Sequence, residues 1–115
     1  MNFDQLAKVL EVFSSETGKK DVPAHWVQFF CHVVSAGPRG VTTKEVADEI
    51  EMNQGIASRM VRIMSRYMDT KTREMEGYDV YITFLDHEYR HRQRIALSAK
   101  GKVVAEAIQK VMDKA

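Results

Sequence analysis

Val41-Thr42-Thr43-Lys44-Glu45-Val46-Ala47-Asp48-Glu49-Ile50-Glu51-Met52-Asn53-Gln54-Gly55-Ile56-Ala57-Ser58-Arg59-Met60-Val61-Arg62-Ile63-Met64 reads as two short helices joined by a tight turn. Thr42 can cap the first, with Glu45 three residues on completing a capping box, and Val46, Ala47 and Ile50 then recur on one side at helical spacing. Asn53 is a good cap for the second, in which Ala57, Met60, Val61 and Met64 recur at three- and four-residue steps. Gln54, Gly55, Ser58, Arg59 and Arg62 point elsewhere. Two helices crossing through a short turn, the second with a polar and basic outer face, form the helix-turn-helix pattern, whose second helix enters the major groove of DNA.

Downstream, Ser65 to Glu76 is polar and rich in both charges, compatible with an extension of the second helix or with a loop. Gly77 breaks the pattern, and Tyr78 to Leu85 is β-branched and aromatic, as a strand should be, with Val80, Ile82 and Phe84 on one face. A second strand, His91 to Leu97, alternates Ile95 and Leu97 with Arg92 and Arg94, which makes Asp86 to Arg90 the turn of a hairpin with a basic tip. Ser98 then caps a last helix with an apolar stripe of Val104, Ala107, Ile108, Val111 and Met112.

Upstream, Phe3, Leu6, Leu10 and Phe13, with Val9 alongside, predict an amphipathic helix over 3–14 that ends at Gly18 and the Lys19-Lys20-Asp21 run. Pro23 suits the first turn of a second helix, and Gly37-Pro38 stops it. Trp26, Val27, Phe29, Phe30, Val33 and Val34 make that helix apolar nearly all round, so it is expected at the centre of the core, with Cys31 a small buried hydrophobe rather than a redox sensor.

The 115 residues predict one domain, over 1–115, with a core of its own. No apolar run approaches the roughly 18 residues of a membrane helix. Met1-Asn2-Phe3-Asp4 lacks an export signal, and a lone cysteine cannot make an internal disulfide, so a cytoplasmic setting is expected. The net charge of +1 is unevenly spread: residues 1–58 carry net −3 and residues 59–115 net +4. Basic charge therefore gathers in the half that holds the second helix and the hairpin, the layout of a footprint on phosphate.

The order helix, helix, helix-turn-helix, basic hairpin, helix predicts a mainly α protein with a small β-hairpin wing, a winged helix-turn-helix. From about Val22 to Met112 the chain resembles the multiple-antibiotic-resistance regulator (MarR) family. The resemblance is carried by the Pro23 and Trp26 helix, Gly37 before Val41-Thr42, Glu45-Val46-Ala47, and Ala57-Ser58-Arg59-Met60-Val61. It extends to Ile95-Ala96-Leu97-Ser98-Ala99-Lys100-Gly101, where that family has a strand leading into Leu-Thr-x-x-Gly. The resemblance implies a homodimer joined through its terminal helices, recognition helices in major grooves, wings near minor grooves, repression of transcription, and room for a small-molecule effector. The chain departs from the family in a longer segment between recognition helix and wing, in Glu51 at a turn position often held by glycine, and in a short first helix.

Arg59 and Arg62 lie three apart on adjacent turns, where a planar guanidinium can pair with a guanine edge or clamp a phosphate. Gln54 and Ser58 are candidates for base or backbone contacts, and Gly55 has no side chain to block approach of phosphate to the helix start. Thr42, Asn53 and Arg66, and the wing residues Arg90, His91, Arg92 and Arg94, complete the expected double-stranded DNA contact set. His87-Glu88-Tyr89-Arg90-His91 matches the zinc-protease signature, whose mechanism needs both histidines on one helical face. Between two strands that geometry is lost, and no third ligand follows, so no metal, cofactor or catalysis is expected. The competing reading is a winged helix used for protein–protein interaction, favoured by the low net charge and the mixed-charge Ser65 to Glu76 segment.

Overall fold

The computed structural model describes residues 1–86, 88 and 92–114. Helix α1 spans Phe3–Thr17, opened by a capping box between Asn2 and Gln5 and closed by Gly18, whose φ of 85° turns the chain while its N–H donates to the Ser14 carbonyl. Helix α2 spans Ala24–Ala36, and a single 3-10 turn, Gly37–Arg39, leads to strand β1, Val41–Thr42. Helix α3 (Thr43–Glu49) and helix α4 (Gln54–Met64) follow, then strands β2 (Tyr67–Met68), β3 (Met75–Glu76), β4 (Tyr81–Leu85) and β5 (Gln93–Leu97), and helix α5 (Ala99–Asp113). No helix among the described residues is long and apolar enough to cross a membrane.

Strands β1, β5 and β4 form an antiparallel sheet in that order, with Val41 opposite Ile95, Thr42 opposite Arg94 and Tyr81 opposite Leu97. The β4–β5 hairpin is the wing. The core is one apolar cluster drawn from the terminal helices, α2, the helix-turn-helix and the wing. Phe13 of α1 meets Phe30 of α2 edge-on at 5.0 Å between centroids, and Tyr81 packs against Phe29 at 6.0 Å. Val46, Ala47 and Ile50 near α3, the Ala57, Met60, Val61 and Met64 face of α4, and Val104 and Ile108 of α5 close over them. Full burial of each such large side chain contributes about 1.5–3 kcal/mol before entropy is counted. Helix α1 lies along α5. A Cβ at Gly101 would run into the Val80 carbonyl, so glycine there lets α5 press on the segment leading into the wing.

Helix α1 runs to Thr17 rather than stopping at residue 14, because the chain meets no left-handed residue before Gly18. Only Phe13 of the stripe Phe3, Leu6, Leu10 and Phe13 is buried, and Val9 takes the inner place beside it. Pro23 is the cap of α2 rather than part of its first turn. Helix α2 is not buried all round: it turns Phe29, Phe30 and Val33 inward, while Val34 is exposed. Cys31 is exposed rather than a core residue, because at about 100° per residue it falls on the far side from Phe29 and Val33. Partial burial of its sulfur still pushes the thiol up, which disfavours the reactive thiolate.

In the wing, the first strand begins at Tyr81 rather than Tyr78. Val80, Ile82 and Phe84 do not share one inner face: Val80 and Tyr81 are buried and Ile82 is 49% exposed. The alternation restarts because Asp79 takes φ 55° and the Val80 N–H donates to the Met64 carbonyl, outside any strand ladder. The second strand begins at Gln93, and the expected start at His91 lies outside the described residues, as do His87, Tyr89 and Arg90. Ser65 to Glu76, open between helix and loop, contains a second small hairpin. Tyr67 pairs with Glu76 and Met68 with Met75, and the Asp69 carboxylate accepts N–H bonds from Lys71 and Thr72 to hold the turn between them.

Candidate nucleic-acid interface

The helix-turn-helix is fixed by local bonds that its sequence encodes. Thr42 Oγ1 accepts from the Glu45 N–H at 3.1 Å, and Glu45 Oε2 accepts from the Thr42 N–H at 3.3 Å, which closes the α3 capping box. Asn53 Oδ1 accepts from the Ile56 N–H at 3.1 Å and starts α4. Between them the chain turns at Glu51, whose φ of 56° is the left-handed conformation that glycine adopts without cost.

Helix α4 is divided sharply along its length. Ala57, Met60, Val61 and Met64 are buried, and Gln54, Gly55, Ser58, Arg59 and Arg62 are exposed. The exposed side offers an amide, a hydroxyl and two guanidinium groups, donors and acceptors that can meet base edges and phosphates. Arg66 is exposed just beyond the helix. Thr42 is only 5% exposed and its hydroxyl is the α3 cap, so its side chain is withdrawn from this surface. Asn53 is exposed, with its side-chain oxygen occupied as the α4 cap.

Beside α4 an open cleft of about 670 Å³ runs between α3, the start of α4 and the wing, lined by Lys44, Asp48, Gln54, Leu85, Arg92 and Gln93 among others. Arg92 is exposed at its wing side. Lys44 Nζ lies 2.7 Å from Asp48 Oδ2 on the opposite wall. Such an exposed pair adds little stability, but it leaves the lysine on the rim.

Arg94 is tied into the fold. Its Nε donates to Asp86 Oδ2 at 3.0 Å and its Nη1 to the Gly40 carbonyl at 3.1 Å. Asp86, 7% exposed, also accepts from the Glu88 N–H at 2.9 Å, and its own N–H donates to the Arg92 carbonyl. Arg94 therefore ties the wing to the turn before β1. Alternation along the strand separates Arg94 from Ile95, but it does not reveal a buried carboxylate eight residues back. Arg90 and His91 lie outside the described residues.

One contact was not legible in the sequence: the Arg62 guanidinium lies over the Tyr67 ring, with Cζ 4.6 Å from its centroid. Only the fold-back of β2 onto the end of α4 brings the two together, and no helical spacing signals it.

No protein-family model matches the sequence, and no curated protein matches it. Solved structures do. MepR of Staphylococcus aureus, in a complex with DNA, superposes with a TM-score of 0.66 at 16% identity, over 96% of this chain and 75% of that one. A MarR transcriptional regulator from Methanosarcina mazei gives 0.62 at 12% identity, over 96% and 70%. MarR itself gives 0.60 at 17% identity, over 95% and 73%. The fold is the MarR-like winged helix.

Proposed function

We propose that this chain, a single MarR-like winged-helix unit, is a homodimeric DNA-binding regulator of transcription in the cytoplasm, a binding protein without catalytic chemistry. The observation that carries the reading is the division of α4, with Ala57, Met60, Val61 and Met64 in the core and Gln54, Gly55, Ser58, Arg59 and Arg62 facing solvent beside Ile56. Support comes from MepR, a protein of the same fold that has been solved with DNA. Arg59 and Arg62 read or clamp the duplex from the major groove, and Arg66 and the wing residues Arg90, His91 and Arg92 neutralise phosphates at its margins. Two copies with their α4 helices about 34–36 Å apart meet successive turns of a palindromic site, and occupancy of that site blocks or recruits polymerase.

Dimerisation is supported by apolar side chains that the lone chain leaves uncovered. Phe3 is 90% exposed, and Leu6 and Leu10, one and two turns on, stand 45% and 46% exposed on α1. A strip of this kind marks a contact surface. The protein-interaction reading draws on the β2–β3 hairpin, which carries Met68 and Met75 exposed among balanced charges.

Selection of duplexes from a random pool, followed by equilibrium binding at increasing salt, separates the two. A selected sequence bound with affinity that falls steeply with salt supports the regulator. Affinity that is weak and flat in salt favours the interaction module.

A further inference from the structure

Arg62 and Tyr67 are joined by a device that the helix-turn-helix does not itself require. Arg62 occupies the last turn of α4, and its guanidinium makes no hydrogen bond or ion pair with a described residue, so the contact with the Tyr67 ring leaves its N–H donors unspent. The ring is held in turn. Tyr67 and Glu76 are cross-strand partners on one face of the β2–β3 hairpin, and the Tyr67 hydroxyl donates to Glu76 Oε2 at 3.4 Å. The hairpin stem is fastened to the same end of α4: the Tyr78 N–H donates to the Ile63 carbonyl at 3.1 Å and the Val80 N–H to the Met64 carbonyl at 2.6 Å. At Gly77, with φ 98°, a Cβ would collide with the Ser65 carbonyl, so glycine lets the returning strand lie directly against the helix end.

We propose that Tyr67 is a positioning residue for Arg62. The β2–β3 hairpin holds the guanidinium in one orientation, so that its N–H edge meets a planar pair of acceptors on the duplex. Those acceptors are the O6 and N7 of a guanine or two oxygens of a phosphate. A free arginine loses side-chain entropy when it binds, whereas one already seated on a ring has lost much of it beforehand. Cation–π attraction supplies the seat, and it draws on the charge of the guanidinium rather than on a hydrogen bond from its N–H groups. This inference rests on the DNA-binding reading and adds to it a residue outside the recognition helix.

The test uses the full chain with Tyr67→Leu, Tyr67→Phe, Arg62→Ala and the Arg62→Ala/Tyr67→Leu double variant. Each is bound to the duplex selected by the wild type and to its single-base-pair variants, after thermal unfolding has established that each is folded. Tyr67→Leu is expected to bind about two- to fivefold more weakly, and Tyr67→Phe, which keeps the ring, to stay within about twofold of wild type. In the Arg62→Ala background, Tyr67→Leu is expected to cost nothing further. A guanine contact shows as lost discrimination at one base pair, and a phosphate contact as a uniform loss with a shallower salt slope. In the free protein, the Arg62 side-chain proton resonances should be shifted upfield by the ring in wild type and Tyr67→Phe but not in Tyr67→Leu.

Tyr67→Leu binding as wild type, or losses from Tyr67→Leu and Arg62→Ala that multiply independently, would overturn the positioning role while leaving DNA binding intact. If the wild type selects no duplex, the DNA reading fails, and this inference fails with it.

Discussion

At the scale of single residues, Glu51 and Tyr81 each hold a conformation or an environment with a measurable cost. A non-glycine residue at φ 56° loses about 1–2 kcal/mol of backbone energy, part of which glycine recovers before its own unfolded-state entropy is charged. Glu51→Gly is therefore expected to raise stability by about 0.5–1 kcal/mol in urea unfolding; a loss would mean that the glutamate side chain stabilises the turn. Tyr81 is buried among Phe29 and Phe30, and its phenol is pushed far above its ordinary value, first by burial and then by the negative charge that the Cys31 sulfur carries as a thiolate. Because the folded state binds this proton more tightly than the unfolded chain, the penalty is absent below the unfolded value of about 10 and grows above it. From that group, stability is expected to fall by about 1.4 kcal/mol per pH unit above pH about 10, and Tyr81→Phe should remove that part of the slope. Equal alkaline slopes in the two proteins would contradict the assignment.

At the scale of elements, what could be read from sequence followed the range of the interactions involved. Both helices of the helix-turn-helix were legible because their caps, Thr42 with Glu45 and Asn53, act over three residues, and their buried faces repeat within a few turns. The β2–β3 hairpin was not, because two-residue strands carry almost no alternation and are held by Tyr78 and Val80 bonding back to α4. The inner face of the wing departs from simple alternation for a related reason: the left-handed Asp79 resets the pattern between Val80 and Tyr81. In the candidate site, the exposed face of α4 followed from helical period, whereas the Arg94–Asp86 pair and the Arg62–Tyr67 contact depend on tertiary placement. Helix α1 offers the element-scale test of assembly. Leu6→Glu with Leu10→Glu places two charges on its uncovered strip without touching Val9 or Phe13 in the core. Sedimentation is expected to give twice the 13.2 kDa chain mass for wild type and the single-chain mass for the double variant. A wild-type monomer at micromolar concentration would remove the dimer from the account.

For the molecule as a whole, a net charge of +1 hides a strong asymmetry, net −3 over residues 1–58 and net +4 over residues 59–115. The more basic half includes α5 as well as the exposed Arg59 and Arg62 of α4 and the exposed Arg92 of the wing, and these three arginines are where long-range attraction to a polyanion and short-range reading by α4 coincide. Sequence-independent attraction and sequence reading respond differently to salt and to mutation, and one titration compares them. The measurement is the salt dependence of binding to a pool-selected duplex, for wild type and for Arg59→Ala. The expected result is a linear fall of log affinity with log salt in both, with Arg59→Ala weaker by about 1–3 kcal/mol if it touches a base edge. Affinity that does not change with salt, or an Arg59→Ala variant indistinguishable from wild type, would contradict the assignment of α4 as the helix that reads DNA.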